Sequence, residues 1–119
     1  MKIKYPAEKT VSIWVGAFPS REAFDRCVAE SVKPALSLDT DIASISEVGF
    51  EPEAIAVREL LDGFSGSATF LERAVSTAES SGLTTANAAL VCYNLECGDP
   101  PADWGALRFL GSFPEPDAA

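Results

Sequence analysis

The chain has 119 residues, 47% of them apolar, and 18 acidic against 9 basic residues give it a net charge of −9. This length and apolar content suffice for one folded domain and argue against a disordered chain. We predict a single domain over residues 1–119, with an ordered core over about residues 10–113 and a frayed C-terminal tail. We expect no nucleic-acid and no membrane partner, because phosphate groups bind clustered lysines and arginines.

The first residues contain no apolar stretch of the length found in signal peptides, and no segment approaches the roughly 20 apolar residues of a membrane-spanning helix. We therefore expect a cytoplasmic protein. The three cysteines, Cys27, Cys92 and Cys97, are an odd number, and two of them lie within apolar patterns. Cysteine in such patterns commonly acts as a small buried apolar residue, so we expect three free thiols.

The first half of the chain predicts a strand followed by a helix. Residues 10–16 alternate between the two sides with a period of two, which is typical of a strand. Apolar residues at helical spacing follow Ser20, a candidate N-cap, and continue to Pro34, which we expect to end the helix.

The middle of the chain, residues 35–64, follows neither period cleanly. We assign a loop, a short strand at residues 44–50, and a helix at residues 57–62 that ends at Gly63. Two alternatives stay open for the residues in between. Either Pro52 begins the helix, or residues 55–57 are extended.

The second half predicts a longer helix and two strands. Ser65 and Ser67 are candidate caps of a helix that ends at Gly82. Residues 88–96 form a nearly continuous apolar run, typical of a central strand, and residues 106–113 alternate, so we expect these two strands to pair as an antiparallel hairpin. The order of elements predicts an α+β fold, with a small, mainly antiparallel sheet and helices packed on one face.

Few residues point to catalysis. The sequence contains no histidine, which is the commonest general base and zinc ligand. Its glycines lack the spacing of phosphate-binding loops. Cys92 and Cys97 are an odd number of residues apart, so within one strand they would face opposite sides and could not share a metal. We expect no enzyme activity, no catalytic residue, no metal and no cofactor.

Acidic residues and one tryptophan are the candidate partner-binding residues. Closely spaced carboxylates can in principle share acid and base roles or hold a cation, but on an acidic surface they are more often solvated. The predicted partner-binding set is Asp39, Asp41, Glu47, Glu51, Glu53 and Trp104. Trp14 is either a core anchor or an exposed binding residue, and we favour the core. Asn87 is expected to make structural hydrogen bonds.

Four motifs follow one another along the chain. They are Val11-Ser-Ile-Trp-Val-Gly16 before Phe18 and a helix, Leu60-Leu61-Asp-Gly-Phe64-Ser65 before Phe70, Ala86-Asn87 entering a strand with Tyr93-Asn94, and Leu107-Arg-Phe-Leu-Gly111-Ser-Phe113. In this order they resemble the immunity protein 22 family of bacterial polymorphic toxin systems, from Val11 to Phe113. The middle departs from that family, because Glu47 and Gly49 stand where aspartates are expected.

The resemblance implies an immunity protein, or antitoxin, that binds and neutralises a cognate bacterial toxin domain. Many such toxins are nucleases with basic clefts, and an acidic protein would cover such a cleft and be steered towards it. The expected partner is therefore a basic toxin protein. The sequence leaves the oligomeric state open.

Two other functions stay open at this point. One is a housekeeping acidic protein-binding or regulatory module with no toxin partner. The other is a carboxylate-based enzyme, in which the pairs Asp39/Asp41 and Glu51/Glu53 would have to meet in a pocket with shifted pKa values.

Overall fold

The structure is a computed structural model that describes residues 3–38, 40–98 and 103–115. Its strands are β1 (Ile3–Lys4), β2 (Thr10–Gly16), β3 (Ser46–Ala56), β4 (Thr85–Tyr93), β5 (Glu96–Cys97) and β6 (Leu107–Pro114). Its α-helices are α1 (Arg21–Cys27), α2 (Lys33–Leu36), α3 (Val57–Asp62) and α4 (Ser67–Ser80). A π-helical turn, Val28–Val32, joins α1 to α2, and a 3-10 turn, Ile42–Ser44, precedes β3.

Four strands form one antiparallel sheet in the order β3-β4-β2-β6, and β1 pairs with β5 in a separate two-stranded sheet. The predicted α+β class and the antiparallel sheet are confirmed. Strand β2 occupies residues 10–16, as its alternation predicts, and residues 12–16 are buried. Strand β4 is buried over most of its length because β2 and β3 flank it and helices cover it.

The last strand has a different neighbour from the one expected. Strand β6 pairs with β2, whereas the sequence predicted a hairpin between β6 and β4. Both edges of β4 are already occupied by β2 and β3. The connection between β4 and β6 includes β5, and it is long enough to carry the chain past β2 to the far side of the sheet.

Helices pack against both faces of the sheet, not only the one face that the sequence predicted. On one face, Ile13 and Val15 pack with α3 and α4 in a cluster that includes Leu61, Phe70 and Ala74. On the other face, Trp14 and Leu90 pack with Phe24 of α1, Val32 and Leu36. Because successive residues of a strand point to opposite faces, two apolar faces need two covering layers.

The first helical segment continues past Pro34. Lys33 donates its backbone N–H to the carbonyl of Val28, five residues earlier, at the end of the π-helical turn. Pro34, which has no backbone N–H to donate, directly follows this wider turn as the second residue of α2. The segment ends after Leu36, where Ser37 adopts a left-handed conformation with φ of 48°. The predicted stop at Pro34 is therefore wrong.

The middle of the chain is more extended than its pattern suggests. Strand β3 covers eleven residues, so the alternative in which residues 55–57 are extended is confirmed up to Ala56, while a helix beginning at Pro52 is wrong. Helix α3 occupies residues 57–62 as predicted. Helix α4 begins at Ser67 after Gly66, which has a φ of 70°, and no side chain caps its N-terminus.

Two buried polar side chains tie loops to the sheet. The Asn87 amide accepts from the N–H of Phe18 and donates to its carbonyl, both at 2.8 Å, which confirms its structural role. Ser12 Oγ lies 2.7 Å from the carbonyl of Leu95 and 2.7 Å from Ser112 Oγ. These contacts hold the segment after β4 against the central strands.

All three cysteines are free thiols. Cys92 and Cys97 lie in the same apolar cluster, because the chain turns at Asn94, which has a φ of 59°, before entering β5. The expectation that they face opposite sides of a single strand is therefore wrong. Among the described residues, no helix has the length and apolar character needed to cross a membrane.

Candidate functional site

Strand β3 forms one edge of the four-stranded sheet, and none of its eleven residues is buried. The opposite edge strand, β6, differs, because Leu107, Leu110 and Phe113 are buried in the core. β6 also contacts β5, whose Cys97 N–H donates to Ser112 Oγ at 2.9 Å. The two edges of the sheet are therefore unequal, and β3 is the more accessible one.

The pairing of β3 with β4 determines which backbone groups face outward. The N–H of Tyr93 donates to the carbonyl of Ile45 at 2.7 Å, and the register continues from Ser46↔Cys92 to Phe50↔Ala88. Hydrogen-bonded and non-hydrogen-bonded pairs alternate along an antiparallel ladder. Glu47 and Gly49 therefore bond to β4, whereas the backbone groups of Ser46, Val48 and Phe50 point away from the sheet. We call residues 46–50 the open edge.

The second half of β3 is built differently. The register with β4 is interrupted between Phe50 and Ile55, and residues 51–54 between them are all exposed. This segment contains Pro52, which has no N–H, between the charged residues Glu51 and Glu53. Proline, charge and irregular pairing are features that protect edge strands from unwanted pairing. The open edge has no proline and lies within regular pairing.

The surroundings of β3 are strongly acidic. Residues 41–62 contain six acids and one base, and β3 itself contains three glutamates and no basic residue. The single base, Arg58, is held by both carboxylate oxygens of Glu72 on α4. Within the described residues, neither Glu51 nor Glu53 takes part in an ion pair. A basic partner would therefore find unneutralised carboxylates on this strand.

Apolar surface accompanies this charge. Val48, at the centre of the open edge, is 41% exposed, and it is the more exposed of the two large apolar or aromatic side chains that lie at the surface in the described part of the chain. A cleft of about 400 Å³ lies beside it on the face covered by α3 and α4. The cleft is lined by Glu47, Val48, Gly49, Leu60, Gly63 and Phe64.

Gly49 allows the ring of Phe64 to lie close to β3 beside this cleft. A Cβ atom at this position would lie 3.1 Å from the ring of Phe64 and would also approach Leu60. Any larger residue here would therefore crowd the Phe64 ring and change the shape of the cleft.

Glu47 forms a hydrogen-bond network within the protein. Its carboxylate accepts from the Ser65 N–H at 2.8 Å, from Ser65 Oγ at 2.6 Å and from the Tyr93 hydroxyl at 2.7 Å. The bonds from Ser65 and Tyr93 hold the pKa of Glu47 below its usual range. Burial, followed by the bond to Glu47, raises the pKa of Tyr93. Glu47 thus stays ionised and anchors β3 to the turn between α3 and α4.

The other predicted site residues lie in different places. Asp41 is exposed, accepts from the N–H of Ala43, and has an ion-pair contact of 3.7 Å with Lys33. Asp39 lies outside the described residues. Trp104 packs on Trp14 near β6, three strand spacings or about 14 Å across the sheet from β3. The structure therefore brings Glu47, Glu51 and Glu53 together on one strand and separates Trp104 from them.

The carboxylates that a carboxylate-based enzyme would use lie on the surface of the described residues. Glu51 and Glu53 are exposed to solvent, and Asp41 lies before the strand. Among the described residues, no group of three or more cysteine and carboxylate side chains is arranged to hold a metal ion.

Comparisons with protein-family models, curated proteins and solved structures give no match to this chain. Only geometry and charge therefore identify this surface as a candidate site.

Three features of the site were not predicted from the sequence. Val48 is the exposed centre of the open edge, and Ser65 and Tyr93 bind Glu47. Ser65 resembles a helix cap, and Tyr93 ends an apolar run, so each suggests a local structural role. The only signal in the sequence is the position of Val48 between acidic residues in a segment of irregular period.

Proposed function

We propose that this protein is an immunity protein that binds a basic bacterial toxin domain in the cytoplasm and neutralises it by covering its active surface. The observation that supports the proposal best is the accessible edge strand β3, which combines three glutamates, no basic residue and the exposed Val48. The resemblance to the immunity protein 22 family supplies the biological role. The accessible position and negative charge of β3 provide a surface to which a basic protein can bind.

The net charge of −9 supports the same partner. Opposite charges on two proteins raise the rate of encounter, and this effect weakens as salt screens the charges. On a toxin with a basic substrate cleft, an acidic strand would occupy the positions that the phosphates of a nucleic acid otherwise take. Inhibition would then follow from exclusion of the substrate.

Co-expression tests the proposal. The C-terminal domain of a large secreted protein encoded directly upstream is produced in a host cell, with and without this chain. We expect growth arrest by the domain alone, rescue by the chain, and co-purification of the two proteins. If no neighbouring toxin domain binds the chain or is inhibited by it, the proposal is wrong and a housekeeping binding module becomes the better interpretation.

A pair of charge variants tests the surface. Glu51→Gln with Glu53→Gln removes two charges from β3, whereas Glu30→Gln with Glu79→Gln removes two charges from exposed helical positions. We expect the β3 variant to lower the association rate about tenfold at low salt and to reduce the salt dependence, with a smaller effect from the helical variant. Equal effects would mean that only the net charge matters.

A further inference from the structure

We infer that the partner contributes an extended basic segment that adds to the open edge of β3 as a fifth strand of the sheet. The inference rests on the proposed function only in taking the partner to be a basic protein. It identifies the part of that partner that is bound and the backbone groups that bind it.

The backbone of the open edge has outward-facing groups that can pair with an added strand. Ser46, Val48 and Phe50 belong to non-hydrogen-bonded pairs with β4, so their N–H and C=O groups point away from the sheet. The residues between them, Glu47 and Gly49, bond to β4. The open edge is about 17 Å long, which matches a short strand of five residues. Addition of a strand to an exposed sheet edge is a common way to bind an extended peptide.

The cleft beside Gly49 provides a place for one side chain of the incoming strand. Residues of the added strand alternate between the two faces of the sheet, and those on the α3 and α4 face meet the cleft formed by Leu60, Gly63 and Phe64. Leu60 and Phe64 give it apolar surface, and Glu47 also lines it. A lysine or arginine suits this environment, because its stem is apolar and its end is cationic.

The charges of β3 determine which strands pair with it. Glu51 and Glu53 lie just beyond the open edge and attract a basic segment, and they repel an acidic one. A second copy of this chain carries the same glutamates on its own β3, so pairing of two copies through this edge is disfavoured. The partner is therefore a different, basic polypeptide.

A synthetic peptide tests the inference without the toxin. The probe is a capped ten-residue peptide of alternating lysine and valine, and the control is the same peptide with glutamate in place of lysine. Amide hydrogen exchange of the isotope-labelled protein is measured by NMR with each peptide. We expect the basic peptide to slow exchange at Ser46, Val48 and Phe50, to leave Glu47 and Gly49 unchanged, and the acidic peptide to have no effect.

Two substitutions separate backbone pairing from side-chain contact. Val48→Pro removes an outward-facing N–H without removing a bond to β4, and edge strands tolerate proline at such positions. Val48→Ala shortens the side chain but keeps the N–H. We expect Val48→Pro to weaken binding of the basic peptide about tenfold and Val48→Ala to weaken it less than threefold. Circular dichroism of both variants checks that they are folded.

The outcomes distinguish this inference from the toxin proposal. Absence of binding by the basic peptide, protection of amides elsewhere, or equal losses in the two Val48 variants would overturn strand addition. Those results leave a toxin free to bind at another surface. Conversely, protection of the open edge together with a failed co-expression experiment would overturn the toxin proposal and retain the strand-addition site.

Discussion

The hydroxyl of Tyr93 lies 2.7 Å from Oε1 of Glu47, and this contact joins the edge strand β3 to its neighbour β4 through their side chains. Ser65 binds the same carboxylate from the turn between α3 and α4. One carboxylate therefore links three elements at the margin of the candidate surface. Its contribution to the free energy of unfolding can be measured.

Replacement of Tyr93 by phenylalanine removes the hydroxyl and keeps the ring. We expect the free energy of unfolding to fall by about 1 kcal/mol, less than the roughly 1.5–3 kcal/mol of a hydrogen bond to a charged group, because the site is partly solvated. Urea denaturation followed by circular dichroism measures the change. Tyr5→Phe is the matched control, since Tyr5 is exposed, and it should leave the free energy unchanged. Equal effects in both variants would contradict the role of the contact.

Glu47 also predicts a dependence of stability on pH. Its hydrogen bonds favour the ionised carboxylate and lower the pKa in the folded state. The stabilisation is therefore complete above the pKa of glutamate in the unfolded chain, about 4.3, and is lost as the pH falls through the lower folded value. We expect Glu47→Gln to lower the free energy of unfolding most at neutral pH, and progressively less as the pH falls. Denaturation curves measured across this range test the prediction, and a difference independent of pH would contradict it.

Trp104 is predicted to stabilise the fold without binding the partner. Its ring centroid lies 5.3 Å from that of Trp14, which is fully buried, and its backbone bonds to Leu107. We expect Trp104→Ala to lower the free energy of unfolding by about 2 kcal/mol, and Trp104→Phe to cost less. Binding of the basic peptide should be unchanged in both, since β3 lies at the other edge. Weaker binding by a folded Trp104→Ala would place this tryptophan in the interface.

The three thiols should differ in reactivity. Burial raises the pKa of Cys92 to about 12 and that of Cys97 to about 11, whereas Cys27 is only partly buried. Because the thiolate is the reactive form, we expect a thiol reagent at about pH 8 to modify Cys27 first and the other two only after denaturation. Counting modified thiols with and without denaturant measures this order. In Cys27→Ser, the native protein should show almost no rapid reaction.

Local patterns predicted several elements well and failed where long-range contacts decide. Strand β2 and helix α3 have the predicted bounds, because their periodicity reflects contacts made over one short segment. The helical segment passes Pro34, because a π-helical turn precedes it. The strand that pairs with β6 depends on which edges are free after β3, β4 and β2 have paired. The sequence around β6 does not show which edges these are.

For the candidate site too, some features follow from the sequence and others only from the tertiary structure. Net charge and the acids of residues 47–53 were visible in the sequence and predict a basic partner. That Glu47 is bonded to Ser65 and Tyr93, and that Trp104 lies at the far edge, follows from contacts between distant segments. Partner binding stays a prediction for the acidic residues of the set, and the Trp104 variants described above test it for the tryptophan.

The sequence by itself determined the α+β class, the acidity and the positions of the main helices and strands, because composition and periodicity are local properties. Only the tertiary structure decided that helices cover both faces, that β6 lies beside β2 and that β3 is left at an accessible edge. The physical reason is that strand order depends on which edges and apolar faces are still free when each segment packs. An accessible edge is a property of the completed sheet, so it cannot be located from β3 alone.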